Sequence, residues 1–171
     1  MSSPLYFKQI EIGPMHNYVY LIGSTETRKA AVVDAAWDID EILRIAAQDE
    51  MKITHALVTH THPDHVGGGF AGMEIAGAPE LVEKCKAKVV VHKAEAEFIK
   101  ELSSSDMIKT DNGDKVDVGG VEVQLMHTPA IRRAHSAFWS TTEWSQEIPC
   151  SSTHAAGSTF PAAIPSRCIT A

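Results

Sequence analysis

The chain has few cysteines and no pattern among them. Cys85, Cys150 and Cys168 stand too far apart to form a zinc cluster or a readable disulfide framework. It has no surplus of positive charge: 15 Lys and Arg face 22 Asp and Glu, a net charge of −7. That balance argues against nucleic acid and anionic membrane as partners. No apolar run approaches the roughly 20 residues that span a bilayer. The start, MSSPLYFKQIE, has neither the basic opening nor the apolar stretch of a secretory signal. What remains is ordinary for a globular chain: 171 residues, 44% hydrophobic and 22% charged, enough for one domain with a sizeable core. The reading is a soluble, cytoplasmic protein.

Local patterns place the elements. Leu5 to Ile10 and Asn17 to Ile22 read as strands around a turn at Gly13-Pro14. Lys29 to Asp34, KAAVVD, is a short apolar run ending in an acid, as a buried strand would. Asp38 can cap a helix whose apolar positions Ile39, Ile42, Leu43 and Ala46 follow helical spacing. Ile53 to Thr59 is the next strand. Pro79 to Lys86 reads as a helix, Lys88 to His92 as a strand and Ala94 to Leu102 as another helix. Lys115 to Val118 and Val121 to Met126 form a hairpin around Gly119-Gly120. Strands and helices alternate while the first strands are joined by short turns, so the expected class is α/β, a mixed sheet backed by helices.

Beyond the Ile53–Thr59 strand comes the densest chemistry in the chain: LVTHTHPDHVGGG, Leu57 to Gly69. Imidazole and carboxylate are the common ligands of zinc and similar ions, and such ions take several side chains at once. His60 and His62, two apart in extended chain, project to one side and can grip a single ion. Pro63 interrupts the chain, and Asp64 and His65 follow in a tight turn that can serve a neighbouring ion. Gly67, Gly68 and Gly69 then allow sharp backbone bends. One histidine in a polar loop is satisfied by water; three and an aspartate within six residues call for a cation.

The run His60-Thr-His62-Pro-Asp64-His65 resembles the HxHxDH signature of the metallo-β-lactamase superfamily. The apolar strand leading into it and the VVDAA stretch around Asp34 resemble that family too. So does VEVQLMHTP, Val121 to Pro129, in which His127 matches a further metal-binding histidine. The resemblance covers Leu5 to Pro129. It implies an αββα sandwich with the metal site on one edge of its paired sheets. Its implied ligands are His60, His62 and His127 for one ion, and Asp64 and His65 for a second. The implied chemistry is hydrolysis of a small thioester or ester by metal-activated water, with zinc, one or two ions, as the cofactor and Asp64 also orienting the water. The partner implied is a small-molecule substrate. Two other readings stand beside it: a persulfide dioxygenase using a single iron, and an inactive metal-binding fragment. Neither the substrate, the metal nor the oligomeric state is written in these residues.

After Pro129 the pattern stops. From Ala130 to Ala171 there is no Leu, Val, Lys, Asp, Met or Tyr, and Ser, Thr and Ala make up nearly half of the segment. No strand or helix period survives there. A single base lost near codon 130 accounts for this. Ala130 to Trp139 admits codons whose neighbouring frame reads HTPGAQCFL, and the same frame runs on into GDTLF, which resembles the family's bridging-aspartate motif. Two units are therefore expected: 1–129, the N-terminal part of a metallo-β-lactamase-like domain, and 130–171, an out-of-frame, poorly packed tail. On that reading the C-terminal half of the sandwich is truncated or frameshifted and activity is impaired.

The remaining candidates carry less. His16 is expected on the surface, His55 packed within a strand, and His92 exposed at a strand end. His135 and His154 lie in the tail. Asp34 can support a metal-bound histidine or simply end its strand, and Cys85 is expected to be a helix-packing thiol.

Overall fold

The computed structural model describes residues 4–128, 136–140 and 168–169. It opens with a hairpin, β1 (Leu5–Ile12) and β2 (Asn17–Ser24), followed by β3 (Lys29–Val33), α1 (Ile39–Gln48) and β4 (Lys52–Leu57). A single turn of helix, α2 (Pro63–Val66), leads into a two-stranded ribbon, β5 (Gly68–Phe70) and β6 (Met73–Ile75). Then come α3 (Ala78–Cys85), β7 (Lys88–His92), a 3-10 turn over Ala96–Phe98, β8 (Met107–Thr110), β9 (Lys115–Val118), β10 (Val121–His127), β11 (Ser136–Ser140) and β12 (Cys168–Ile169).

The first sheet has the order β1-β2-β3-β4-β7-β8, antiparallel at the hairpin and parallel from β3 to β8. The second sheet has the order β12-β11-β10-β9. Successive side chains of a strand point to opposite faces, and the first sheet uses both. Leu21, Val32, Val89 and Val91 face α1 and α3, against Ile39, Ile42 and Leu81. Ile22, Val33, Leu57 and Val90 face the second sheet, against Val118, Val123, Leu125 and Phe138. Burial on both faces is why KAAVV and KVVVH are nearly continuous apolar runs. Each fully buried Ile, Leu or Phe contributes roughly 1.5–3 kcal/mol. The described residues thus show three layers of the expected sandwich: helices, sheet, sheet.

α1 starts where Asp38 accepts the backbone N–H of Glu41 at 2.9 Å. It ends at Asp49, whose carboxylate accepts from Lys8 and Tyr6 of β1 and so ties helix to sheet edge. Gly67 and Gly77 let two backbones touch: a Cβ on Gly77 would stand 2.1 Å from the Val66 carbonyl, and Gly67 has φ +90°.

Several expectations change. The helix foreseen over Ala94–Leu102 shrinks to the 3-10 turn, because Glu95 turns inward to bind Thr61 and Ile99 takes an extended ψ of 82°. β5, β6 and β8 carry too few residues for a readable period. Ser136–Ser140, where no period is legible, pairs with the open edge of β10 and buries Phe138 completely. The rest of the expectation for 130–171 lies outside the described residues. Among the described residues, no helix is long and apolar enough to cross a membrane.

Candidate metal centre

Because β3, β4 and β7 run parallel, their carboxyl ends share one edge of the sheet, where open α/β sheets bind ligands. Asp34 follows β3, Thr59 to His65 follow β4, and His92 ends β7. Asp34 organises the edge. It sits in the left-handed region at φ +54° and is almost fully buried. Its Oδ1 accepts the Thr59 N–H at 2.8 Å and its Oδ2 accepts the Thr59 hydroxyl at 2.6 Å.

That hydroxyl has one proton, already given to Asp34, so at 3.0 Å it accepts from His60 Nδ1–H. The Nε2 of His60 is therefore the basic nitrogen, and it stands 3.1 Å from His62 Nδ1. Two ring nitrogens so close need a proton or a cation between them. At 3.1 Å the two share a hydrogen bond, His62 Nδ1–H donating to His60 Nε2. Nitrogens bound at about 2.0–2.1 Å to one tetrahedral zinc stand about 3.3 Å apart, so a small shift would let the same pair face an ion.

A second pair forms beside it. His65 Nδ1 donates to Asp34 Oδ2 at 2.9 Å, which turns its Nε2 to Asp64 Oδ2 at 3.3 Å. Burial pulls the His65 imidazole down, but the hydrogen bond and charge of Asp34 and the charge of Asp64 hold it above its ordinary value. Asp64 is steadied by Asn17, whose amide donates to its Oδ2 at 3.1 Å. The rings of His60 and His65 lie 4.1 Å apart, so the two pairs adjoin. Buried or half-buried carboxylates at Asp34, Asp64 and Glu95 make the edge negative, which favours a cation.

His127 arrives from the second sheet. Its strand partner Ser136 donates its backbone N–H to the Thr59 carbonyl at 2.8 Å, which brings the end of β10 to within one strand of the histidine loop. The His127 ring stacks on His92, 4.8 Å between centroids and 21° between planes. Among the described residues, no three His, Cys, Asp or Glu side chains form a ready ion cage. The pairs are in place, and His127 stands with His92.

The geometry corrects one expectation outright: His92 is 7% exposed, not a surface residue. His16 is exposed and paired with Glu11, His55 is half-buried beside Thr54, and the Cys85 thiol donates to the Leu81 carbonyl. Asn17, Thr59, Glu95 and His92 are parts of the site that carry no local sequence signal. Only Thr59 adjoins the motif.

The described residues form a two-sheet sandwich with paired imidazoles and carboxylates at its parallel edge. A family model described as the metallo-beta-lactamase superfamily matches residues 12–142, and the chain belongs to that superfamily. Among curated relatives, a hydroxyacylglutathione hydrolase of Pseudomonas putida is 35% identical over 135 residues, 77% of this chain and 46% of that protein. One of Pseudomonas aeruginosa is 29% identical over 127 residues, 74% of this chain and 43% of that protein. The chain thus spans less than half the length of these relatives. Among solved structures, a metallo-beta-lactamase from Staphylococcus aureus has a TM-score of 0.67 at 24% identity, covering 82% of this chain and 40% of that one. ETHE1 from Myxococcus xanthus has a TM-score of 0.62 at 26% identity, covering 79% and 53%.

Proposed function

We propose that the chain carries the greater part of the ion-binding machinery of a hydrolase that cleaves small thioesters or esters. The observation that supports this most is the 3.1 Å approach of His60 Nε2 to His62 Nδ1, with the tautomer of His60 set by Thr59 and Asp34. His60, His62 and His127 would hold one ion, with zinc as the proposed metal, and Asp64 and His65 would contribute to a second. A divalent ion there supplies Lewis acidity, lowering the pKa of water toward about 7 and drawing charge from a substrate carbonyl.

The protein's own groups do the rest. Asp34 holds His60, through Thr59, and His65 in fixed orientation, as carboxylates behind ligating histidines do. Asp64, steadied by Asn17, offers a carboxylate oxygen that can orient an attacking water and take its proton. Thioesters are favoured as substrates by the likeness to hydroxyacylglutathione hydrolases. The net charge of −7 disfavours nucleic acid and anionic membrane as partners.

The test is hydrolysis of a 2-hydroxyacyl glutathione thioester by the zinc-loaded chain, with a phosphodiester as control. Thioester cleavage that requires zinc and disappears in Asp64→Asn supports the proposal. Zinc uptake with no thioester turnover identifies an ion-binding fragment, and persulfide oxidation by an iron-loaded chain identifies the dioxygenase.

A further inference from the structure

The histidine loop does not run straight on into α3. Between them the chain makes the β5–β6 ribbon, in which Phe70 and Met73 are cross-strand partners. Such partners share one face of a ribbon, so the two side chains form a single apolar patch. Both stay open to solvent, Phe70 at 39% and Met73 at 53%. The base of the ribbon is fixed: Ile75 is buried, Gly67 and Gly77 bring two backbones together, and Trp37 N–H donates to the Ala76 carbonyl at 2.8 Å. Above its base the ribbon stands clear. A Cβ on Gly68 or Gly72 would meet nothing within 4 Å among the described residues.

The β1–β2 turn brings a second apolar edge to the same loop. Met15 and Tyr18 are exposed, and the chain between them carries Asn17, whose amide donates to Asp64 Oδ2 at 3.1 Å. Trp37 joins turn to ribbon, since its indole lies against Gly13 while its backbone bonds Ala76. Four of the seven large apolar side chains exposed among the described residues thus belong to the two segments tied to the histidine loop. Exposed apolar patches gathered in one place mark binding surfaces. This one adjoins the carboxyl edge of the parallel strands, where open α/β sheets take their ligands.

Charge selects the occupant. Residues 13–18 and 66–77 contain no Lys or Arg, and the carboxylates of Asp34 and Asp64 stand at the loop that joins them. An anionic group would find repulsion there and no cationic partner, whereas a neutral apolar chain gains contact with both edges. We infer that the ribbon and the turn form a subsite for a neutral, apolar acyl chain, with Phe70 and Met73 as specificity-determining residues. This rests on the hydrolase reading proposed above, and it assigns the acyl half of the substrate.

The test is calorimetric binding of S-alkyl thioethers of N-acetylcysteamine, with butyl, hexyl and octyl chains, to the full chain. Thioethers have no carbonyl to attack, so binding is read apart from turnover. Affinity is expected to rise about two- to fourfold per added methylene. A chain of octyl length ending in a carboxylate is expected to bind more weakly than octyl itself. Phe70→Ser and Met73→Ser, at solvent-exposed positions, are each expected to weaken octyl binding about four- to tenfold. Ile108→Ser, which removes an exposed apolar side chain on β8, is expected to leave it unchanged. Affinity that ignores chain length or the terminal carboxylate, or that falls as far in Ile108→Ser as in the ribbon variants, overturns the subsite. The expected binding, without cleavage of the matching octanoyl thioester by the zinc-loaded chain, overturns the hydrolase reading and leaves the apolar subsite standing.

Discussion

Asp34 Oδ2 accepts from His65 Nδ1 at 2.9 Å while the same carboxylate holds the N–H and hydroxyl of Thr59. One buried side chain at the end of β3 therefore orients both ends of the histidine loop. Replacing it with alanine leaves a buried amide and hydroxyl unsatisfied and is expected to cost about 3 kcal/mol. Asp34→Asn suits φ +54° and keeps an acceptor for the Thr59 N–H, but its NH2 cannot accept from the Thr59 hydroxyl and His65 Nδ1. Its loss should therefore be smaller than that of alanine and still substantial. Urea denaturation midpoints of the two variants check the order.

Gly67→Ala tests the backbone contact behind the loop. The new Cβ would stand 2.8 Å from Gly77 Cα and N, at φ +90°, where neither backbone can yield cheaply. A loss of about 2–3 kcal/mol is expected in thermal or urea unfolding. Gly113→Ala, with positive φ but nothing within 4 Å, should cost less.

Asp49→Asn probes the tie between α1 and β1. Hydrogen bonds from Lys8 and Tyr6 hold the Asp49 carboxyl below its ordinary pKa. A depressed carboxylate contributes stability above its unfolded pKa, and the contribution is lost as pH falls through the folded value. Asp49 is partly exposed, with a side-chain exposure of 29%, so screening limits the effect to about 1 kcal/mol. The variant should therefore be weaker than the parent near pH 7 and converge with it below about pH 3. A difference that persists at pH 2 would contradict this.

The break in composition after Pro129 predicts a lost base. Sequencing the gene across codons 120 to 140 is expected to reveal a frame that continues HTPGHTPG. A downstream frame crowded with stop codons, together with the HTPAIRRAH peptide found in the cell by mass spectrometry, would refute it.

Much of the fold is legible in the sequence where burial writes a long pattern. The β1–β2 hairpin, the Asp38-capped α1 and the runs into Asp34, Thr59 and His92 all follow from apolar spacing and turn residues. The shorter elements escape, as three- and four-residue strands such as β5 and β8 have no period to read. The helix expected after Ala94 fails because Glu95 spends its side chain on Thr61, a contact 34 residues distant that no local rule contains. The same holds for the site. The motif displays its own histidines, whereas Asn17, Glu95 and His92 reach it only through the folding of separate strands onto one edge.

The central claim is that histidines from the two sheets share one cation. It is tested most directly by the zinc content of the purified, zinc-equilibrated chain and of its His60→Ala and His127→Ala variants. The account predicts bound zinc in the parent and a sharp loss in each variant with the fold intact by circular dichroism. Undiminished zinc in both folded variants would contradict it.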